Sequence, residues 1–384
     1  MYQLQAVNVC INSTLNVDLA LNWLNNSGIQ SAGGGFYAWH DEEKGKYSFL
    51  YPQVTGYAIQ LFTRLYGLDN KVIYLAKAIK AGDWLLSIQK ENGLFPCKYY
   101  DDSEAEQQDN SFYVFDAGMI ACGLIDLYKV TSKDKYLKAA TKTMELCLQL
   151  QNEDGAFKAG LIADEQTLDN QHWFQTSACH HIKMILPLLR MYKVTGDKKY
   201  LDSARRLLRW GCSLQLPDGR FAVFAGSNDT YTHAHCYALE GIVAAYKYFG
   251  NTNMDLAIRI NRGLSWLMMA QNSDGSIYDW EGQHENKIKV SEALAQTLRL
   301  LLLRQKGLTL SEKLLVNEKV QKGFAFLGKM QRLDANTRLK GGISYGESDC
   351  KIDKKIYTCA TIFAVHAALL IELGKRRQSF EAIV

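Results

Sequence analysis

The chain has 384 residues, 47% of them hydrophobic and 22% charged, with a formal net charge of +4. That is ordinary globular composition, and the scattered basic residues argue against a nucleic-acid groove. The longest apolar run, between Arg299 and Arg304, is far too short to span a bilayer, so membrane insertion is not expected.

The first stretch, MYQLQAVNVCINSTLNVD, has neither a basic n-region nor an apolar h-region, so a secretory signal is not expected. The 9 cysteines are an odd number without framework spacing. They are expected to be reduced, mostly buried thiols, with the cytoplasm as the default location.

From Gln30 onward one short motif returns along the chain. QKENGLF begins at Gln89, QNEDGAF at Gln151, QLPDGRF at Gln215 and QNSDGSI at Gln271. QSAGGGF at Gln30 and the degenerate turn at Gln331 complete the series. The spacing of about 60 residues is the length of two helices and two connections, the mark of an internal repeat. Segments such as YLAKAIKAGDWLLSIQ run into the glutamine with apolar residues at i, i+3, i+4 and i+7, which predicts a helix with one buried stripe. The helices between are apolar nearly all round and rich in small residues, for example FDAGMIACGLIDLYKVT and HAHCYALEGIVAAYKYFG. Six half-exposed helices alternating with six enclosed ones predict an all-α (α/α)6 toroid, built as a single domain over residues 1–384. The glycine of each motif is expected at positive φ, with the following large apolar residue tucked into the core.

Connections from enclosed to half-exposed helix are short (GLDNKV, TSKDK, TGDKK), whereas the return connections are long. Long connections concentrate function, and all six are expected at one mouth, where the inner helices begin. Free N–H groups there favour an anionic or hydroxyl-rich ligand. Trp39, Trp173 and Trp280 with Tyr51, Tyr113, Tyr231 and Tyr357 recur at that end and suit stacking on sugar rings. His40, Gln53, His172, His180, His235, Lys289, Gln296 and Lys355 are expected beside them as substrate-binding groups.

His233, Tyr237 and Glu240 fall at i, i+4 and i+7 and share a helical face, as do Glu292, Gln296 and Arg299 on the next inner helix. Asp116 stands in the first turns of its helix. Asp116 with Glu240 or Glu292 is a candidate acid/base pair, in which burial of one carboxyl near another raises its pKa. The alternative is that these carboxylates cap helices or pair with Lys289 and Arg299. His233 and His235 are two apart on a helix and face different ways, so neither a metal nor another cofactor is expected. His366 is expected near a helix end in a structural role, and His284 in solvent.

AGDWLLSIQKENGLF, RWGCSLQLPDGRF and RGLSWLMMAQNSDGSIYDW resemble the QW-type repeats of squalene cyclases and prenyltransferase-repeat proteins. The Asp-x-Asp-Asp acid of the cyclases is absent, as are the zinc-site patterns of the protein prenyltransferases. FYVFDAGMIACGLIDLYKVTSKDKYLKAA and MYKVTGDKKYLDSA look like the units of six-hairpin glycosidases and sugar epimerases, among them unsaturated glucuronyl hydrolases and N-acylglucosamine 2-epimerases. That resemblance places Asp116 where a catalytic carboxylate stands. YPQVTGY, FDAG and THAHCYALEG resemble toroids encoded with surface-polysaccharide biosynthesis. Together these imply a carbohydrate-active enzyme for an anionic, uronate-containing saccharide or sugar nucleotide, acting as hydrolase, lyase or epimerase. Its catalytic groups would be Asp116, His233, Tyr237, Glu240 and Glu292. The competing expectations are a terpenoid cyclase-like enzyme and a non-catalytic glycan-binding scaffold.

Overall fold

A computed structural model describes residues 14–100, 111–161, 173–251, 254–282, 287–303 and 309–375. Among them twelve α-helices run in order: α1 (Val17–Asn26), α2 (Pro52–Asp69), α3 (Val72–Ile88), α4 (Val114–Thr131), α5 (Asp134–Gln149), α6 (Ile185–Thr195), α7 (Lys198–Ser213), α8 (Thr232–Phe249), α9 (Leu256–Ala270), α10 (Ser291–Leu303), α11 (Leu310–Met330) and α12 (Thr358–Lys375). The even-numbered helices form the inner ring. Each packs on the next, α2 on α4 and onward to α10 on α12, and α12 returns to α2. The odd-numbered helices surround them, completing an (α/α)6 toroid.

Composition decides which helix goes where. Every residue from Ser291 to Leu302 in α10 is buried, as an element enclosed on all sides must be. In α7 only one stripe is buried, including Tyr200, Ala204, Leu207, Leu208 and Gly211, and the charged residues between them face water. Small residues set the inner spacing. A Cβ on Gly56 of α2 would meet the α4 backbone at Met119 and Ile120, so these two helices touch main chain to main chain.

The repeated glutamine has one job, performed six times. Its side-chain Nε2 donates to the glycine carbonyl of its own turn and to a carbonyl on the next outer helix. Gln89 bonds Gly93 and Ala139, Gln151 bonds Gly155 and Ser203, and Gln271 bonds Gly275 and Lys319. Gln30 and Gln215 repeat this with Lys77 and Arg259. Gln331 closes the circle by bonding Gly341 and the Asn16 carbonyl at the other end of the chain. Gly275 has φ 87°, and a Cβ there would strike the Lys322 carbonyl of α11, so conformation and space both demand glycine. Phe36, Phe95, Phe157, Phe221, Ile277 and Ile343 follow these turns into the core.

The long connections hold short antiparallel strands, which helical periodicity does not foretell. β1 (Trp39–Asp41) pairs with β2 (Lys46–Tyr47) and with β11 (Lys355–Tyr357), and β11 with β8 (Ile343–Ser344). The β1–β11 ladder joins the first unit to the last. β3 (Phe112–Tyr113) pairs with β4 (Gly160–Leu161), and β5 (Thr230–Tyr231) with β6 (Trp280–Glu281). These strands lead into α2, α4, α8, α10 and α12 and form a rim around the inner N-termini, which is where the chemistry-bearing residues converge. No described helix is long and apolar enough to cross a membrane.

Candidate active site

The rim presents an arc of aromatic rings. Trp39 stacks on Tyr357 with centroids 5.2 Å apart and planes at 13°, and meets Phe49 edge-on. Tyr357 leads to Tyr345 at 4.6 Å. Tyr231 adjoins Trp280 at 4.9 Å and His233 at 6.2 Å. The β1–β11 register sets Trp39 opposite Tyr357, and the β5–β6 register sets Tyr231 opposite Trp280, so strand pairing builds the arc. Lys355 Nζ lies 5.6 Å from the Trp39 ring centre, in cation–π range. Tyr51 caps α2 and meets Phe49 at 5.6 Å, and Gln53 is buried in the first turn of that helix. Tyr113 is half-buried beside Phe174. His172 and the Trp173 side chain lie outside the described residues.

Below the arc, His233 Nε2 stands 3.9 Å from Glu292 Oε1, and Cys359 Sγ donates to Glu292 Oε2 at 3.0 Å. Both helices present these side chains from their first turn. Burial holds the His233 pKa below its ordinary value, although Glu292 pulls the other way. The imidazole is therefore neutral near pH 7 and able to take up a proton. Its ring rests on Tyr237 at 4.3 Å, and Tyr237 rests on Phe115 at 4.7 Å, the residue before Asp116. The Tyr57 hydroxyl donates to that of Tyr237 at 3.1 Å. Burial, with the Asp116 charge as a further contributor, pushes the Tyr51 and Tyr57 hydroxyls well above the usual tyrosine range. His233, Tyr237 and Glu292 thus lie close together, and Asp116 stands in the first turn of α4, next in the chain to the Phe115 ring that meets Tyr237.

Glu240 belongs to a different environment. It is 1% exposed, paired with Lys183 Nζ at 2.7 Å and with Arg299 Nη2, and it accepts from Gln296 Nε2 at 3.3 Å. Burial alone would raise its pKa, but Arg299 and Lys183 outweigh that and bring it to about 2. The raised pKa expected of a general acid is reversed here, so Glu240 remains a carboxylate. Lys183, lowered by burial to about 8 despite Glu240, also lies 3.4 Å from the Tyr57 hydroxyl. Gln296 lies between this cluster and the imidazole of His233.

Three expected substrate contacts lie elsewhere. His235 is fully buried; its Nδ1 accepts from the Phe221 N–H at 3.1 Å and its Nε2 faces the Gly263 carbonyl at 3.3 Å. It fastens a glutamine turn to α9. His40 points to the side of β1 opposite Trp39, with its ring 4.9 Å from Tyr47, because successive strand residues face opposite ways. Lys289 pairs with Asp274 at 2.7 Å, on the outer side of the ring in a glutamine turn. His180 stays near the site: it meets Phe115 edge-on at 5.0 Å and lies tilted against His181 at 4.1 Å, and burial, then the neighbouring His181 and His233, holds its pKa well below normal. His366 is in the middle of α12, not near its end, and His284 lies outside the described residues.

Sequence reasoning missed Lys183, Tyr57, Tyr345 and Cys359. Lys183 carried a usable signal, since a lysine inside the apolar run CHHIKMILPLL must be buried and therefore needs a buried carboxylate. Tyr57 and Cys359 lie on helices already recognised as enclosed, where nothing local separates a core residue from a mouth residue.

Comparisons with known proteins agree with the architecture. A cellobiose 2-epimerase from Bacillus thermoamylovorans superposes with a TM-score of 0.72 at 14% identity, covering 92% of this chain and 99% of that one. A cellobiose 2-epimerase from Spirochaeta thermophila gives 0.73 at 13% identity, over 93% and 95% of the two chains. An unsaturated glucuronyl hydrolase specific for heparin gives 0.70 at 14% identity, over 94% and 96%. The chain is thus an (α/α)6 toroid of the kind shared by these epimerases and hydrolases. Residues 20–188 match the model of glycosyl hydrolase family 76, and residues 174–274 that of the ulvan lyase N-terminal domain. An uncharacterized protein of Caenorhabditis elegans is 25% identical over 169 residues, covering 42% of this chain and 23% of that protein. The chain therefore spans less than a quarter of the length of that relative.

Proposed function

We propose that this toroid is a carbohydrate-active enzyme that seats a saccharide against the Trp39–Tyr357 and Tyr231–Trp280 arc and moves a proton with His233. Glu292 lies beside the imidazole and favours its protonated form once it takes up a proton, and Tyr237 supplies a hydroxyl next to it. One observation carries this reading: a histidine kept neutral by burial, 3.9 Å from a carboxylate, under rings suited to a sugar. Proton transfer at carbon, as in epimerisation or elimination, uses such a base. The superposition on two epimerases supports it as fold-level analogy.

Hydrolysis is the second reading, favoured by the family-76 match across Asp116 and by two carboxylates, Asp116 and Glu292, each in the first turn of an inner helix. Separate acid and base carboxylates are what glycoside cleavage requires. An acidic sugar keeps Lys355 and the inner-helix N-termini as its support, but loses Lys289 to Asp274. The proposed substrate is an oligosaccharide or sugar nucleotide, and a place in polysaccharide metabolism rests on the sequence resemblance alone.

The test is incubation in D2O with neutral reducing disaccharides, unsaturated uronyl disaccharides and sugar nucleotides, followed by proton NMR. Loss of a carbon-bound proton signal with a new epimer or alkene marks proton transfer. A new reducing end without deuteration marks hydrolysis. Saturable binding without turnover across the panel would leave a glycan-binding scaffold and remove the enzymatic reading.

A further inference from the structure

Beyond Tyr57, toward the C-terminal half of the inner ring, the axis holds a second cavity of about 40 Å³. Its lining includes Arg64, Lys183, Arg190, Arg299 and His366 against only two carboxylates, Asp126 and Glu240. Arg190 is bonded to Asp126 at 2.9 Å, and Lys183 and Arg299 share Glu240. Four permanent or readily charged cations thus face two anions in an enclosed space. The inner helices do turn their C-terminal ends this way, but the dipole acts within the last turn. Lys183 precedes the start of α6, outside that reach.

Two observations point to a ligand rather than to a balanced network. The Arg299 Nε–H and His366 Nδ1 are buried without a protein hydrogen-bond partner, in residues 5% and 9% exposed. Arg64 Nε at the outer edge is in the same condition. Buried guanidinium N–H groups without an acceptor are costly, and a water needs only about 10–15 Å³. The space suits a compact anion.

We infer that this axial cavity is a binding site for a small inorganic anion, of halide size or slightly larger, held by Arg299, Arg64 and the His366 ring. It would neutralise the cation excess behind the Lys183–Glu240–Arg299 cluster. The inference is independent of the reaction at the mouth.

Two measurements on the full chain test it. Crystals soaked in bromide should show an anomalous peak within about 3.5 Å of Arg299 Nε. Replacing gluconate by chloride at fixed ionic strength should raise the melting temperature with the logarithm of chloride concentration once the dissociation constant is passed, because binding to the folded state alone stabilises it. Substituting phosphate for chloride distinguishes a halide from an oxyanion by which shows the lower onset concentration. Arg64→Gln changes a partly exposed residue outside the ion pairs and should raise that onset concentration about tenfold. His366→Leu should do the same, with circular dichroism confirming the fold. A crystal without the peak, a peak seen only at molar bromide (an adventitious ion only), or a melting-temperature rise that is linear and equal in Arg64→Gln would overturn the inference.

Discussion

Glu240 and Glu292 stand on neighbouring inner helices, and both are almost wholly buried, at 1% and 7% exposed. Their surroundings differ in kind. Glu240 is held by two cations and an amide. Glu292 faces a neutral imidazole and a thiol beneath an aromatic arc, with no cation paired to it among the described residues. Burial by itself therefore says little about a carboxylate's role. The charges on the adjoining helices decide whether it ties the ring together or remains available to a ligand.

The sharpest way to break this contrast is to neutralise each carboxylate in turn. Glu292→Gln and His233→Ala should lower kcat on the active saccharide by about 10²–10⁴-fold, with the urea midpoint little changed. If Glu292→Gln retained full turnover, the division of roles would fail. Glu240→Gln should instead destabilise the fold by about 3–5 kcal/mol, because it leaves Lys183 and Arg299 buried and short of negative charge. Denaturant unfolding of the two variants side by side reads the difference directly.

The same contrast has a pH signature. The folded-state pKa of Glu240 is lowered from 4.5 to about 2. Its contribution to stability is thus fully present above pH 4.5 and is lost as pH falls from there toward 2. Melting curves of the wild type should show that loss, and Glu240→Gln should flatten it. His233 is shifted downward from 6.5, so the acid limb of kcat/KM should lie below pH 6.5. A limb above that value would mean that the imidazole is charged at rest.

A smaller effect separates the turns from the mouth. Gly275→Ala forces a side chain into a φ of 87° and against Lys322, and should cost about 1–3 kcal/mol of stability with KM unchanged. The mildest expected change is at the rim. Trp39→Ala should raise KM about fivefold with kcat nearly intact, since a stacking surface worth about 1 kcal/mol is removed away from the reacting atoms. A fall in kcat instead would move Trp39 into the chemistry.

The ring itself was legible because its causes are local and repeated. A glutamine that must bond two carbonyls, a glycine that must take positive φ and an apolar residue that must be buried leave the same trace five times and a degenerate one at Gln331. Asp116, His233 and Glu292 were legible as residues near the starts of inner helices, and Tyr237 as one turn further along, because helix start and helical spacing place them there. His235, His40 and Lys289 were misplaced for a shared reason: position near the mouth is set by chain order, but direction is set by neighbours. His235 found a backbone N–H and a carbonyl to bridge, His40 fell on the far side of a two-sided strand, and Lys289 met Asp274.

The sequence alone determined a closed double ring with its long connections at one end, since periodicity, small residues and repeat length act through contacts near in the chain. Only the tertiary structure decided that Glu240 is paired with two cations and Glu292 with none among the described residues. The cations responsible, Lys183 and Arg299, come from opposite neighbours of α8, and such charge pairing across helices leaves no pattern in the order of residues.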